Sequence, residues 1–252
     1  MKALILAAGE GTRLRPLTLD RPKPMVPIGD RPLLATTVAA LRNYSVTDLA
    51  INLHYHPEAI TDYFGDGRRF GVHITYSYEP ELLGTAGAAK QLESFLDETF
   101  YVVYGDLLTN LDYAGLASFH RSRRALLTLS LYRVDNPTEV GIVGLADDNR
   151  IVRFVEKPRP AEVFSDLANS GVLVCEPAIL AYVPHAAFCD FGHHVLPRLL
   201  ATDEPVYGLP LAAGEYLIDI GSPGKYRRAQ EEWPNVWRGD SAGSEPVATE
   251  TG

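Results

Sequence analysis

Glycines and cations crowd into a short loop near the amino terminus. The loop reads Ala8-Gly9-Glu10-Gly11-Thr12-Arg13-Leu14-Arg15-Pro16-Leu17-Thr18 and leads into Arg21-Pro22-Lys23-Pro24-Met25. Glycine has no Cβ to block the turn, so the backbone of such a loop can approach an anion closely. Arg13, Arg15 and Lys23 add positive charge, and the prolines that flank Lys23 restrict the backbone around it. This amino-terminal loop, residues 8–25, therefore predicts a binding site for a triphosphate.

Two common phosphate loops do not fit the pattern. A Walker loop ends in Gly-Lys-Ser/Thr, and a dinucleotide fingerprint would need glycine in place of Leu14. The remaining alternative is a surface turn with solvated arginines. The fixed spacing of Arg13, Pro16-Leu17-Thr18 and Pro22-Lys23-Pro24 argues against that alternative.

The amino-terminal loop resembles that of the sugar-1-phosphate nucleotidyltransferases, also called nucleotide-sugar pyrophosphorylases. Their hallmark, Gly-x-Gly-Thr-Arg-Leu-x-Pro-Leu-Thr followed by Pro-Lys-Pro, is complete here, and the likeness extends to about Tyr226. The resemblance implies that a nucleoside triphosphate (NTP) and a sugar-1-phosphate react with the help of Mg²⁺ to give a nucleotide-sugar and pyrophosphate. It implies that Arg13 stabilises the leaving pyrophosphate and that Lys23 contacts the α-phosphate. It assigns further nucleotide contacts in the loop to Ala8, Gly9, Gly11 and Thr12.

Two aspartates are candidate metal ligands. Asp106 follows the apolar run 100–105, and Asp219 follows the run 216–218. Mg²⁺ prefers one or two carboxylates together with phosphate oxygens and water, and two strand ends of a parallel sheet can face one crevice. Either residue alone is typical of a turn. The family's Gly-Asp and Asp-x-Gly motifs imply that both residues hold the metal.

The resemblance also implies a site for the sugar phosphate. In Glu156-Lys157-Pro158, it places Lys157 on the phosphate and Glu156 on sugar hydroxyls. It assigns the amide of Asn169 to other hydroxyls and brings the backbone of Gly141 against the sugar. Each motif is otherwise an ordinary turn or strand entry. Val140 stands where the family commonly has tyrosine, which puts the neighbouring sugar contacts in doubt.

The run Glu79-Pro80-Glu81-Leu82-Leu83-Gly84-Thr85-Ala86-Gly87 carries the prediction about the base. Glu79, Gly84 and Thr85 are the candidate contacts, and Gly84 with Gly87 would let a flat base lie against the backbone. Thymidylyl and uridylyl members of the family commonly carry glutamine near Glu79, whereas a carboxylate suits the adjacent N–H donors of guanine. The run is also similar to that of mannose-1-phosphate guanylyltransferases.

GTP and mannose-1-phosphate are therefore the predicted substrates, and three alternatives stay open. They are a uridylyltransferase acting on glucose-1-phosphate, a guanylyltransferase acting on a heptose-1-phosphate, and a non-catalytic sensor of nucleotide-sugars. A sensor would be expected to lose Arg13, Lys23 or a metal aspartate, and all of these are present.

The elements that must position these residues alternate in the first half of the chain. Predicted strands cover residues 2–7, 49–54, 72–78 and 100–104, and predicted helices cover 32–42, 57–64, 86–96 and 111–122. This alternation predicts an α/β fold, a Rossmann-like, mainly parallel sheet flanked by helices, in which ligands lie beyond the carboxyl ends of the strands. The resemblance names it as the nucleotide-diphospho-sugar transferase fold. Later strands at 126–134, 141–145, 151–155, 171–175 and 206–209 predict a strand-rich, sugar-binding portion.

We predict one nucleotidyltransferase domain over residues 1–238. Its nucleotide-binding half ends at about residue 110, and its sugar-binding half starts at about 111. Residues 239–252 are polar and poor in large apolar side chains, so they are expected to form a disordered tail.

The bulk composition narrows the choice of partners. The 252 residues carry a formal net charge of −9, which argues against nucleic acid and anionic membranes as general partners. Cys175 and Cys189 are in no metal or redox spacing. The apolar run at the start is too short for a signal core or a membrane span, so the expected location is the cytoplasm. The histidines are expected to be structural or solvated, and the oligomeric state stays open, a homo-oligomer included.

Overall fold

The computed structural model describes residues 1–237. The predicted disordered tail, residues 239–252, lies outside them. Thirteen strands are present in this part of the chain. They are β1 Lys2–Leu6, β2 Pro27–Ile28, β3 Arg31–Pro32, β4 Asp48–Leu53, β5 His73–Tyr78, β6 Phe100–Tyr104, β7 Leu107–Thr109, β8 Leu127–Arg133, β9 Gly141–Leu145, β10 Ile151–Glu156, β11 Leu167–Cys175, β12 Val206–Pro210 and β13 Leu217–Asp219.

Six α-helices lie among these strands within residues 1–237. They are α1 Leu33–Asn43, α2 Pro57–Phe64, α3 Gly84–Gln91, α4 Tyr113–Arg123, α5 Leu196–Ala201 and α6 Pro223–Val236. None of these helices combines the length and the apolar character that a membrane span requires.

The central sheet has nine strands and confirms the predicted α/β class. β5, β4, β1 and β6 lie side by side and are parallel. β11 pairs antiparallel with β6 and continues the sheet into the second half of the chain, where β8, β12, β9 and β10 join it. The carboxyl ends of β1 and β6 therefore meet at one edge, and the amino-terminal loop begins there.

Helices cover both faces of this sheet, as predicted. Side chains alternate along a strand, so Leu4 of β1 packs into one core while Ala3 and Ile5 pack into the other. The first core includes residues of α3 and α5, and the second includes residues of α1, α2 and α4. Full burial of each leucine or isoleucine contributes about 1.5–3 kcal/mol.

A third apolar cluster holds the amino-terminal loop against the end of the described chain. Leu14 of the loop packs with Ile218, Ile220 and Trp233. α6 begins where Ser222 caps it, since the Ser222 side chain accepts a hydrogen bond from a backbone N–H of the first turn at 3.4 Å. This packing brings β13 and α6 to the loop.

The small sheet formed by β7 and β13 changes the predicted placement of Asp219. Asp219 ends β13, which pairs antiparallel with β7 and is not part of the parallel sheet. Its register partner is Leu107, the residue that follows Asp106. The two aspartates therefore come together through this short pairing rather than as two ends of the parallel sheet. The run before Asp219 is a strand as expected, but three residues do not show which strand is its partner.

Candidate active site

Gly11 and Gly9 of the amino-terminal loop have different structural requirements. Gly11 has φ +67°, and an added Cβ would lie 2.8 Å from the Cβ of Lys23. The carbonyl oxygen of Gly11 accepts hydrogen bonds from the Leu14 N–H and the Thr18 hydroxyl, each at 2.9 Å. Gly9 has no atom within 4 Å of an added Cβ. Gly11 is therefore required for the path of the Lys23 side chain, whereas Gly9 faces open space.

Lys23 connects the two predicted metal aspartates. Its side chain is only 11% exposed, and its Nζ atom contacts Oδ2 of Asp106 and lies 3.2 Å from Oδ1 of Asp219. Lys225 approaches the other oxygen of Asp219 at 3.2 Å. The structure thus brings two carboxylates and two ammonium groups to one point.

The pKa values of Asp106 and Asp219 are shifted in opposite directions. Burial raises the pKa of Asp106 above its usual range, despite the charge of Lys23, and the Asp219 carboxylate adds to the rise. Burial also acts to raise the pKa of Asp219, but Lys23 and Lys225 outweigh it and leave this pKa below its usual range.

The two aspartates fit a magnesium ion that also binds substrate oxygens. Both carboxylates already converge on one cation, the Lys23 ammonium group. Among residues 1–237, no group of three or more His, Cys, Asp or Glu side chains could hold a metal ion without other ligands. Two carboxylates completed by phosphate oxygens and water are the ligand set that Mg²⁺ favours.

A first cavity of about 230 Å³ lies beside this point. Most predicted nucleotide contacts line it, together with residues that the sequence did not single out. Its walls are Leu6, Ala8, Gly9, Lys23, Pro24, Asn52, Glu79, Leu82, Gly84, Thr85, Tyr104, Asp106, Phe188 and Asp190. Two predicted contacts, Gly11 and Thr12, belong to the loop but are not among these walls.

A second cavity of about 290 Å³ adjoins the first. It contains all four predicted sugar-phosphate residues and both aspartates. Its walls are Arg13, Thr85, Tyr104, Asp106, Leu107, Tyr132, Glu139, Val140, Gly141, Glu156, Lys157, Asn169, Ser170, Gly171, Asp190, Gly192, His193 and Asp219. Thr85, Tyr104, Asp106 and Asp190 line both cavities, so these four residues mark the junction.

Arg13 reaches the second cavity near Asp219. An added Cβ on Gly221 would lie 3.1 Å from Nη2 of Arg13 and 2.9 Å from Oδ2 of Asp219. The guanidinium group therefore lies close to the Asp219 carboxylate, which is a predicted metal ligand, and beside the second cavity.

Gly141 and Gly192 leave the space that the Glu156 carboxylate occupies. An added Cβ on Gly141 would lie 2.5 Å from Oε2 of Glu156, and one on Gly192 would lie 2.8 Å from the same atom. Burial raises the pKa of Glu156, and the charges of His193 and Lys157 oppose this rise. Gly141 thus gives the Glu156 carboxylate its place in the second cavity.

Lys157 and Asn169 hold unusual backbone positions. Lys157 has φ +47° directly before a proline, and its N–H donates to the Val140 carbonyl at 3.1 Å. A residue other than glycine in this region is strained, and the strain is often found at functional sites. Asn169 lies at an irregularity inside β11, and its Oδ1 atom accepts from the N–H of Gly171 at 3.1 Å. The amide nitrogen of Asn169 keeps its donors for another partner.

Glu79 does not have the free carboxylate that the base prediction assumed. Glu79 is 1% exposed. Its Oε1 accepts from Nδ2 of Asn52 at 2.8 Å, and its Oε2 accepts from the N–H of Leu83 at 2.9 Å. Oδ1 of Asn52 in turn accepts from the N–H of Ala7 at 2.7 Å. The carboxylate therefore fixes the cavity wall, and direct pairing with guanine is not what this arrangement favours.

Gly84 and Gly87 have a structural requirement that the sequence analysis did not predict. Gly84 has φ +75°, and its added Cβ would lie 2.7 Å from the carbonyl oxygen of Cys189. The added Cβ of Gly87 would lie 3.0 Å from the carbonyl oxygen of Ala187. Both glycines make room for the segment 187–191 of the chain, and their predicted contact with a base stays a prediction.

Asp190 lines both cavities and was missed by the sequence analysis. Its Oδ1 accepts from the N–H of Thr85 at 2.9 Å and from the Thr85 hydroxyl at 3.1 Å, across 105 positions. The N–H of Phe191 donates to the same hydroxyl at 2.9 Å. An acidic side chain at the start of α3 also complements the helix dipole. No local sequence motif around Asp190 indicates this contact, which depends on the tertiary fold.

His193 is exposed, as the sequence analysis allowed. It lines the second cavity, and its charge acts on Glu156. His120, in contrast, is structural: it is 1% exposed and lies 2.8 Å from the hydroxyl of Thr128.

The chain is similar to known nucleotidyl transferases over most of its length. The family model described as Nucleotidyl transferase matches residues 2–235. The UTP–glucose-1-phosphate uridylyltransferase of Synechocystis is 35% identical over 91% of this chain and 62% of its own length. The mannose-1-phosphate guanylyltransferase of Mycobacterium tuberculosis is 35% identical over 91% of this chain and 64% of its length. The chain therefore spans less than two thirds of these curated relatives.

A solved structure covers nearly the same extent as this chain. HddC from Yersinia pseudotuberculosis, in complex with GMP-PN, superposes with a TM-score of 0.76 at 29% identity, over 92% of this chain and 99% of HddC. Its fold is thus shared along almost the full length of both chains. With the family model matching nearly all of the described residues, the chain belongs to the nucleotidyl transferase family.

Proposed function

We propose that this protein transfers a nucleoside monophosphate from an NTP to a sugar-1-phosphate, with Mg²⁺ as cofactor. The observation that carries the proposal is the pair of adjoining cavities with Asp106 at their junction and Lys23 and Arg13 beside it. One cavity suits a nucleoside and the other a sugar phosphate. The two phosphate groups would then meet next to two carboxylates and two cations.

The reaction would be an in-line displacement at the α-phosphorus. A sugar-phosphate oxygen forms the new bond to phosphorus, the bond to the β-phosphate breaks, and pyrophosphate leaves. The attacking oxygen is largely ionised at pH 7, as the second pKa of a phosphate monoester is about 6, so no general base is needed. Catalysis then depends on holding two polyanions together and neutralising charge on the moving oxygens.

The residues of this chain divide that work. Lys23 contacts the α-phosphate, Arg13 stabilises the leaving pyrophosphate, and Lys157 orients the attacking phosphate. Asp106 and Asp219 would hold Mg²⁺, which supplies Lewis-acid polarisation and a template for both substrates.

Glu156 and Asn169 would receive the sugar. Ionised Glu156 is a hydrogen-bond acceptor, and the amide nitrogen of Asn169 is a donor, so the pair can engage sugar hydroxyls in two ways. The strained turn at Lys157 supports this assignment, since it aims a cation into the same cavity.

We propose GTP and mannose-1-phosphate as the substrate pair. The support is the likeness to mannose-1-phosphate guanylyltransferases and to a structure solved with GMP-PN. A second candidate is UTP with glucose-1-phosphate, favoured by the Synechocystis relative. The occupied carboxylate of Glu79 removes the main chemical argument for guanine over uracil.

A substrate panel tests the proposal. ATP, GTP, CTP, UTP and dTTP would each be combined with mannose-1-phosphate and with glucose-1-phosphate, and pyrophosphate release would be measured with and without Mg²⁺. We expect Mg²⁺-dependent release that is highest with GTP and mannose-1-phosphate. Release with UTP alone would overturn the substrate pair, and no release with any combination would overturn the reaction.

A further inference from the structure

Two large apolar side chains remain exposed on the wall of the first cavity. Phe188 is 58% exposed and Leu82 is 45% exposed. Leaving an aromatic ring in water costs free energy that a flat ligand surface recovers when it covers the ring. The first cavity therefore has an apolar surface that a planar ligand can cover.

This apolar surface belongs to the first cavity and not to its junction with the second. Phosphate groups are drawn to the Lys23 ammonium group, which contacts Asp106 at the junction with the second cavity. Phe188 and Leu82 line the first cavity alone. A nucleotide whose phosphates lie at the junction would extend its base toward Phe188 and Leu82.

Hydrogen bonds beside these two residues hold them in place. The N–H of Cys189 donates to the Leu83 carbonyl at 2.8 Å, and the Cys189 carbonyl accepts from two N–H groups of α3 at 2.9 Å each. The ring of Phe188 also meets the ring of His194 edge-on, with centroids 6.2 Å apart. Phe188 is thus presented on a fixed backbone rather than on a free loop.

We infer that Phe188 packs against the face of the nucleobase when an NTP is bound. This inference rests on the proposed function and assigns a nucleotide contact to segment 187–191, which lies in the part of the sequence predicted to bind the sugar. Stacking accepts any base because every base has a π-face. Phe188 therefore strengthens binding of all NTPs and does not choose between them.

Calorimetric titrations with Mg²⁺ test the inference in the full chain. GTP and UTP, which carry a base, would be compared with inorganic tripolyphosphate, which carries none. The proteins would be the wild type, Phe188→Ala, Phe188→Tyr and the control Val152→Ala, since Val152 is 60% exposed and lines neither cavity.

We expect Phe188→Ala to weaken GTP and UTP by about 5- to 100-fold, as the loss of a base–aromatic contact predicts. Phe188→Tyr and Val152→Ala should stay within about twofold of the wild type, because the first keeps the ring and the second lies elsewhere. Tripolyphosphate should bind wild type and Phe188→Ala equally.

Unchanged nucleotide affinity in Phe188→Ala would overturn the inference. An equal loss for nucleotides and tripolyphosphate would overturn it too, since it would point to general damage to the cavity. If the wild type bound none of the nucleotides, the proposed function itself would fail, which is a distinguishable result.

Discussion

Nζ of Lys23 lies 3.2 Å from Oδ1 of Asp219, which follows it by 196 positions in the chain. The contact joins the amino-terminal loop to the last strand before α6. Packing of Leu14 against Ile218 and Ile220 in the third apolar cluster supports the same junction. The site thus depends on tertiary packing that brings the two ends of the described chain together.

Removing the Lys23 charge should impair the chemical step. We expect Lys23→Met to lower kcat for pyrophosphate release by about 10- to 100-fold, the equivalent of about 1.5–3 kcal/mol for a lost charge-assisted contact. The matched control is Lys225→Met, because Lys225 contacts Asp219 alone and is 43% exposed. A loss in the control as large as that in Lys23→Met would contradict the role given to Lys23.

The two glycines of the amino-terminal loop should respond differently to alanine. Gly11→Ala introduces a side chain at φ +67° and 2.8 Å from Lys23, so the melting temperature and kcat should both fall. Left-handed backbone alone costs an alanine about 1–2 kcal/mol. Gly9→Ala meets no atom of the protein, so it should keep the melting temperature and raise the KM for NTP. Thermal denaturation and steady-state kinetics measure both, and equal melting temperatures for the two variants would refute this distinction.

Sugar-phosphate binding should depend on pH through Glu156. Burial raises its pKa from the usual 4.5, so the carboxylate gains a proton at a higher pH than an exposed glutamate does. The KM for sugar-1-phosphate should therefore rise as the pH falls through this raised pKa, while the KM for NTP changes less. Glu156→Gln should show a higher KM for sugar-1-phosphate and should lose the part of the pH dependence that Glu156 causes, so that only the ionisation of the substrate phosphate remains. Identical pH profiles in the two proteins would rule out Glu156 as the titrating group.

Stability should fall in acid because of His120. Burial lowers the pKa of His120 in the folded protein from 6.5, against the opposing effect of Glu176. The unfolded chain then binds more protons, so the free energy of unfolding decreases as the pH falls below about 6.5. His120→Gln should show a smaller drop in melting temperature between pH 7.5 and pH 5.5 than the wild type. Exposed His185 supplies the control, His185→Gln, which should keep the wild-type drop; a wild-type drop in His120→Gln would contradict the assignment.

Local patterns predicted the elements that carry strong periodicity. The strand 100–104 and the helix 57–64 are present with the predicted bounds, and Gly11 in the loop after β1 has a positive φ. A glycine at positive φ and an apolar strand leave a signature within a few residues, so one sequence is enough to find them.

Local sequence patterns could not predict contacts between distant segments of the chain. Asp190 meets Thr85 across 105 positions, and nothing near either residue indicates the other. Glu79 was predicted to contact the base and lines the first cavity, but its partners Asn52 and Leu83 depend on how β4 and β5 pair. The strands β7 and β13 are too short to show a period. These parts of the site could be identified only from the three-dimensional structure.

Binding of an NTP in the presence of Mg²⁺ can be measured by titration calorimetry for the wild type and for Arg13→Ala, and it shows whether the amino-terminal loop holds a triphosphate. We predict that the wild type binds at least one of the five common NTPs. Arg13→Ala should bind the same NTP about 10- to 100-fold more weakly with an unchanged melting temperature, since Arg13 is exposed. No detectable binding of any NTP, or equal binding by both proteins, would contradict this prediction.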